Sequence, residues 1–234
     1  MRLDIYLVEK NLVHSRNKAQ ELLAAGIVLV NNKVQKKSSY KVQEQDEVTL
    51  QEYKSYLSRA AYKLSGFIKG KTLHAKKALD IGASTGGFTQ VLLEHGIDEV
   101  WAVDVGTSQL HPILKQDNRV HSFENCDIRD FTTTELFPLI VSDISFISLL
   151  HILNKVDSLA CGVIILLFKP QFEVGREAKR DRNGVVLDTD AIEKAMEIFE
   201  QKCDEKNWSL IYKEPSQVTG KEGNLEYCYW YEKR

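Results

Sequence analysis

The chain is poor in cysteine: Cys126, Cys161, Cys203 and Cys228 are widely separated, and none forms a Cys-x-x-Cys pair. That scarcity argues against a disulfide framework and against a zinc site, and it makes a reducing cytoplasm the default compartment. Long apolar runs are missing as well. The most apolar stretch, residues 163–168, is far too short to span a bilayer, and Met1-Arg2-Leu3-Asp4 is charged where a secretory signal needs an apolar core. No membrane partner is expected, and no metal.

What is present is enough for a globular protein. The 234 residues are 43% hydrophobic, room for one large domain or for a medium one joined to a small one. Net charge is only −2 but is unevenly shared. Residues 1–77 hold 15 Lys+Arg against 7 Asp+Glu, whereas residues 78–234 hold 16 against 26. A basic front on an acidic body suggests that the front meets a polyanion, the alternative being a merely solvated basic surface.

The most informative stretch is Ala78-Leu79-Asp80-Ile81-Gly82-Ala83-Ser84-Thr85-Gly86-Gly87-Phe88. An apolar run ends in an acid, three glycines follow, and a helical pattern opens at Phe88, so the segment predicts strand, loop and helix. Such a loop brings backbone N–H groups close to a ligand. Its Gly-x-x-x-Gly-Gly spacing differs from the Gly-x-Gly-x-x-Gly of dinucleotide sites, which favours a cofactor without phosphates. About 20 residues on, a second apolar run ends in Asp104, where α/β folds hold a ribose. NAD and S-adenosylmethionine both carry that sugar; Asp80 favours the second, because a carboxylate suits the ammonium of a methionine group and repels pyrophosphate. Val105 follows Asp104 and is grouped with this site. An ordinary strand-to-helix turn is the bland alternative.

At the front, Leu3, Tyr6 and Leu7 predict a short amphipathic helix with its charges opposite. Residues 15–26 predict a second, capped by Ser15, stopped by Gly26, with Arg16 and Lys18 on its exposed edge. Residues 27–30, a turn at Asn31-Asn32, the basic Lys33, Lys36, Lys37 and Lys41, and a strand at Val48–Leu50 complete a module spanning residues 1–50. Residues 51–57 read as a linker. Residues 58–68 read as a helix capped by Ser58, and Lys69, Lys71, Lys76 and Lys77 are expected to extend the basic surface toward the cofactor loop.

Residues 105–110 are expected to start a short helix, and residues 120–123 a third strand followed by Asp127, a candidate for an adenine amino group or simply a surface acid. A fourth apolar run ends in Asp143 and a fifth in Lys169-Pro170. In an open parallel sheet these ends share one rim, so Asp80, Asp104 and Asp143 should converge beside Lys169, whose amine burial can tune. Residues 171–187 lack periodicity and carry Arg176, Lys179, Arg180 and Arg182: an RNA clamp or a solvated loop. A long amphipathic helix over 189–206 and two final strands close the chain.

Arg2-Leu3-Asp4, the Ser15–Gln20 run and residues 26–31 resemble the RNA-binding module named after ribosomal protein S-four, which implies RNA contacts from Arg2, Arg16 and Lys18. Asp80 to Thr89, Asp104-Val105-Gly106, residues 142–148, Lys169-Pro170-Gln171-Phe172-Glu173 and Gly223-Asn224-Leu225-Glu226-Tyr227 together resemble the TlyA (haemolysin A) family of ribosomal RNA cytidine 2′-O-methyltransferases. That resemblance covers nearly the whole chain. It implies an α/β fold, a Rossmann-like seven-stranded methyltransferase sheet of FtsJ-like type over residues 58–234, behind a small N-terminal α+β RNA-binding domain. It implies S-adenosyl-L-methionine as cofactor and ribosomal RNA or a ribosomal subunit as partner; a monomer is expected, though nothing in the sequence fixes the oligomeric state. It assigns Lys63, Asp143, Lys169 and Glu226 to catalysis, with Lys169 nearest the chemistry as either general base or electrostatic guide. It places Asp80, Gly82, Ala83, Ser84, Thr85, Gly86, Gly87, Phe88, Asp104, Val105, Asp127 and Asp143 at the cofactor, and Arg59 with the other basic residues on RNA. This chain has Ser58-Arg59-Ala60-Ala61 where the family usually has Ser-Arg-Gly-Gly, and its length matches a compact subgroup linked to large-subunit RNA. Rival readings are a non-catalytic ribosome assembly factor and a haemolysin, though pore-forming spans are not apparent. Base methylation lacks both an Asn-Pro-Pro-Tyr-like motif and a Pro-Cys nucleophile.

Overall fold

The computed structural model describes residues 1–13, 15–51 and 56–233, which divide into two compact units, Met1–Ser55 and Tyr56–Arg234. In the first unit, helices α1 (Leu3–Glu9) and α2 (Arg16–Ala24) accompany a three-stranded antiparallel sheet of β1 (Val28–Val30), β2 (Lys33–Val34) and β3 (Val48–Leu50), ordered β2-β1-β3. Leu3, Leu7, Leu22, Leu23 and Val28 form its buried core. The Ser15 hydroxyl accepts from the Lys18 amide at 3.2 Å, the N-cap bond its position predicts. Asn31 and Asn32 both adopt left-handed φ, 52° and 61°, closing a two-residue hairpin between the paired Val30 and Lys33.

The charges of α1 do not all face outward. Asp4 is fully buried and receives Arg2 at 2.9 Å and Arg16 at 3.0 Å, which hold its carboxyl well below the usual carboxylate range. Lys18, expected on an exposed edge, is 8% exposed and its ammonium pairs with Glu21 at 2.9 Å. An acid one turn away draws the long side chain across the helix rather than into solvent. Arg2, Arg16, Lys33, Lys36, Lys37 and Lys41 are exposed.

In the second unit the described strands form one sheet, ordered β6-β5-β4-β7-β8-β10-β9. Its members are β4 (Lys77–Ile81), β5 (Glu99–Val103), β6 (Val120–Phe123), β7 (Phe137–Ser142), β8 (Ala160–Phe168), β9 (Trp208–Pro215) and β10 (Tyr227–Lys233). The first five run parallel, and β10 inserts antiparallel between β8 and β9. Alternate residues serve opposite faces. Ile165 and Leu167 of β8 pack with α3 (Arg59–Phe67) and α4 (Gly87–Glu94), while Ile164, Leu166 and Phe168 pack with α6 (Leu153–Leu159) and α7 (Thr189–Asp204). A strand buried on both sides must be apolar throughout, which is why β8 reads as a continuous run.

Three local expectations need correction. Residues 105–110 form bends, and the helix there is α5 (Pro112–Lys115), because Pro112 presets the first helical position while Glu124 takes the amides of Gln109 and Leu110. Lys76 and Lys77 sit at the start of β4, the far edge of the sheet from the glycine loop, and pair with Asp98, Glu99 and Glu135. Ser58 occupies the N-cap position of α3, but its hydroxyl caps nothing. Of the expected linker, residues 52–55 lie outside the described residues; Tyr56 is buried in the second unit's core and donates to the Ser65 hydroxyl at 2.7 Å, and the Leu57 amide donates to Gln90 at 2.8 Å.

Candidate active site

Strand register assembles the site. Ile81 of β4 is paired with Val103 of β5 on one side and Ser142 of β7 on the other, so the next residues, Gly82, Asp104 and Asp143, lie level along one rim. The order of connections reverses between β4 and β7, where open parallel sheets bind ligands. On the far side Tyr227 of β10 faces Phe168 of β8, and the register continued by one residue sets Glu226 against Lys169.

Two cavities share this rim. The larger, of about 790 Å³, is lined by Lys63, Asp143, Lys169 and Glu226 together with Arg59, Gly82, Ala83, Ser84, Thr85 and Phe88. The smaller, of about 500 Å³, is lined by Gly82, Ser84, Asp104, Val105, Cys126, Asp127 and Asp143. Both include Ser145 and Phe146 in their walls.

Two ion pairs occupy the larger cavity. The Lys63 ammonium lies 2.6 Å from Glu226 Oε2, with both side chains less than a tenth exposed. Lys169 Nζ lies 2.6 Å from Asp143 Oδ1 but donates along better angles to Ser145 Oγ at 2.7 Å and the Asp143 carbonyl at 3.3 Å. The Asp143 contact is therefore a close charge pair without hydrogen-bond geometry, which leaves Oδ1 without a donor. Gln171 Nε2 donates to Glu226 Oε1 at 3.3 Å. Buried charges of this kind persist only when paired, so each lysine fixes its acid and the reverse.

The glycine loop is held from within. Asp104 accepts from the Ser84 amide and the Gly106 amide, both at 2.7 Å. Gly86 has φ 92°, and a Cβ there would lie 2.1 Å from a Leu114 methyl; Gly87 lets the start of α3 approach, since a Cβ would meet the Ser58 hydroxyl at 2.1 Å. Gly86 and Gly87 thus serve the packing of the loop and lie outside both cavity walls. Asp80 also departs from its expected direct contact. It is fully buried beneath the loop, accepts from Thr89 Oγ1 at 2.6 Å, and lines neither cavity. Burial, with Asp143 and Asp104 adding to it, pushes its pKa from 3.8 up to about 7. Asp127 already receives Arg129 at 2.5 Å, so an adenine amino group would share an acceptor in use.

Of the basic candidates in this unit, Arg176, Lys179 and Arg182 are exposed. Arg180 instead donates to the carbonyls of Gly175, Arg176 and Ala178, bracing its own loop. Arg59 is tied to the Thr219 carbonyl at 3.1 Å. Phe146 is a site residue that motif spacing alone did not single out. It is 88% exposed, holds φ 71°, and meets the Phe172 ring at 5.5 Å. A phenylalanine following an apolar strand reads as core, so only its left-handed backbone reveals the outward turn.

Residues 56–233 match the FtsJ-like methyltransferase family, and residues 1–48 match the S4 domain. The chain belongs to the FtsJ-like methyltransferases. A Campylobacter jejuni relative, the 23S rRNA (cytidine-2′-O)-methyltransferase TlyA, is 43% identical over 99% of each chain. The 16S/23S rRNA (cytidine-2′-O)-methyltransferase TlyA of Mycobacterium tuberculosis is 34% identical over 98% of this chain and 88% of its own. A solved structure from Streptococcus thermophilus, provisionally named a hemolysin, superposes with a TM-score of 0.73 at 34% identity, covering 100% of this chain and 88% of its own. Membership among these methyltransferases implies S-adenosylmethionine as methyl donor, and the residues present suit it. The smaller cavity combines apolar walls from Ile81, Val103, Ile128 and Ile144 with carboxylates at 104 and 127, the chemistry of an adenine and a ribose diol. Gly82, with φ 79°, lies so close to Ile144 that a Cβ would stand 3.1 Å from it, so any other residue there would be strained and would press on Ile144. No described helix is long and apolar enough to cross a membrane.

Proposed function

We propose that this FtsJ-like methyltransferase methylates a cytidine 2′-hydroxyl in ribosomal RNA, and specifically in 23S RNA. The observation that carries the reading is the joining of Lys169–Asp143 and Lys63–Glu226 in one cavity that opens onto the glycine loop. The shared identity with the Campylobacter relative across both full lengths supports the choice of substrate.

A ribose hydroxyl is a poor nucleophile until its oxygen is aligned and its negative charge is stabilised as the proton leaves. When bound, S-adenosylmethionine supplies an electrophilic methyl group on a sulfonium. Asp104, at the rim, faces the cavity suited to its nucleoside, and Ser84 and Gly82 form the backbone cradle. On the substrate side, the Lys169 ammonium has three acceptors around it, Asp143 Oδ1, the Asp143 carbonyl and Ser145 Oγ. The 2′-oxygen takes the place of Ser145 Oγ, the ammonium stabilises the charge that develops on it, and the proton it gives up passes to Asp143 Oδ1, the carboxylate oxygen left without a donor. This geometry favours the electrostatic role for Lys169. Lys63 and Glu226 hold the ribose from the opposite wall. Phe146 offers an exposed ring on which a base can stack, and the exposed cations of the S4 domain bind RNA backbone.

The test is methyl transfer from labelled S-adenosylmethionine to unmodified ribosomal subunits, with the modified nucleotide mapped by mass spectrometry. Lys169→Ala should abolish transfer, while calorimetry shows cofactor affinity within about threefold of wild type, because the residue acts on the transition state. Undiminished transfer in that variant would refute its role. Label appearing on a base, or only on small-subunit RNA, would refute the substrate.

A further inference from the structure

We infer that Asn224 is a positioning residue that couples the basic hairpin at 179–187 to Glu226, so that RNA held by the hairpin sets the Lys63–Glu226 pair. The inference rests on the reading above for its substrate, but the contacts that carry it are independent of the reaction.

Asn224 is 4% exposed and ties two loops together. Its Oδ1 accepts from the Val186 amide at 2.9 Å, and its Nδ2 donates to the Gly184 carbonyl at 3.4 Å. Its own carbonyl accepts from the Gly220 amide at 2.8 Å. Gly220 in turn lies against Glu226, where a Cβ would stand 2.7 Å from Oε1. Glu226 follows two residues later, 2% exposed, in contact with Lys63 and Gln171. One side chain therefore touches the hairpin, and its backbone belongs to the turn that confines the carboxylate.

The hairpin is braced as a unit. The Leu187 amide donates to the Lys179 carbonyl at 2.8 Å, and the Asp181 amide to the Val185 carbonyl at 2.9 Å. The Asp181 carboxylate also accepts from the Asn183 and Val185 amides. Lys179 and Arg182 stand exposed on it, with Arg176 just before it. A phosphate held by these cations acts on a stiff element whose buried contact is Asn224. A buried amide bonded at both its oxygen and its nitrogen transmits displacement better than an exposed contact because breaking those bonds leaves a donor and an acceptor without partners. The acid at the end of this chain of contacts is one whose misplacement by about 1 Å would cost on the order of 100-fold in rate.

The experiment is hydrogen–deuterium exchange on the full chain, with and without an unmodified large-subunit RNA transcript, beside methyl-transfer kinetics. In wild type, RNA should slow exchange in peptides covering both 179–187 and 220–227. In Asn224→Ala it should slow only the first, and kcat should fall at least about tenfold while KM for RNA changes less than about threefold. Asn224→Asp keeps an acceptor for the Val186 amide and loses the donor to Gly184; it guards against a folding defect and should uncouple the peptides in the same direction. Equal protection of 220–227 in wild type and both variants, or none in wild type, would overturn the inference. Coupled protection in a wild-type protein that transfers no methyl group would leave the inference standing and overturn the reading of the reaction instead.

Discussion

Replacing Asp80 with asparagine should change how stability depends on pH, by an amount the structure sets. The carboxyl is fully buried, one oxygen accepts from Thr89, and the other has no partner. Burial raises its pKa from 3.8 to about 7. Because the folded state holds its proton more tightly than the unfolded chain, the stability this group contributes is complete below the unfolded value and is lost as pH rises through the folded one. At about 1.4 kcal/mol per unit the full loss is about 4 kcal/mol, of which about 3 kcal/mol falls between pH 5 and pH 8. Asparagine has nearly the same shape, still accepts from Thr89 and does not titrate. Its stability relative to wild type should therefore rise by about 3 kcal/mol between pH 5 and pH 8, whatever fixed offset the new amide introduces. Urea unfolding followed by tryptophan fluorescence reports this cleanly, because Trp101, Trp208 and Trp230 all lie in the second unit. The comparison is of midpoints at constant slope. A difference between the two proteins that stays flat within about 1 kcal/mol over that range would refute the raised pKa of the buried carboxyl beneath the loop.

Further outcomes follow from the same contacts. Glu226→Gln leaves the Lys63 ammonium buried without its charge partner and should cost about 3–5 kcal/mol in stability, read by urea unfolding, as well as abolishing transfer. Phe146→Ala removes an 88% exposed ring, so the thermal midpoint should hold while RNA affinity falls by about 1–3 kcal/mol in a filter-binding assay. An unchanged affinity would remove the stacking role. Gly86→Ala places a Cβ 2.1 Å from Leu114 at a φ of 92° and should destabilise by about 1–3 kcal/mol, with cofactor binding lost in calorimetry.

Much of this protein is written in local pattern. Apolar runs ending in Asp80, Asp104, Asp143 and Lys169, separated by helical stretches, specify an alternating α/β unit, since only strands buried on both faces need such runs. Turn chemistry at Asn31-Asn32 and the Ser15 cap were legible because each is decided within four residues. The charges at 63 and 226, which meet at 2.6 Å, were not legible from composition or spacing, and only a family resemblance singled them out. Their pairing depends on β10 inserting antiparallel beside β8, a long-range choice of neighbour that no local periodicity encodes. The same holds for the burial of Asp80, the inward turn of Lys18 and the outward turn of Phe146. Each side chain's environment is set by elements distant in sequence, and burial, charge pairing and exposure come into being only when those elements pack.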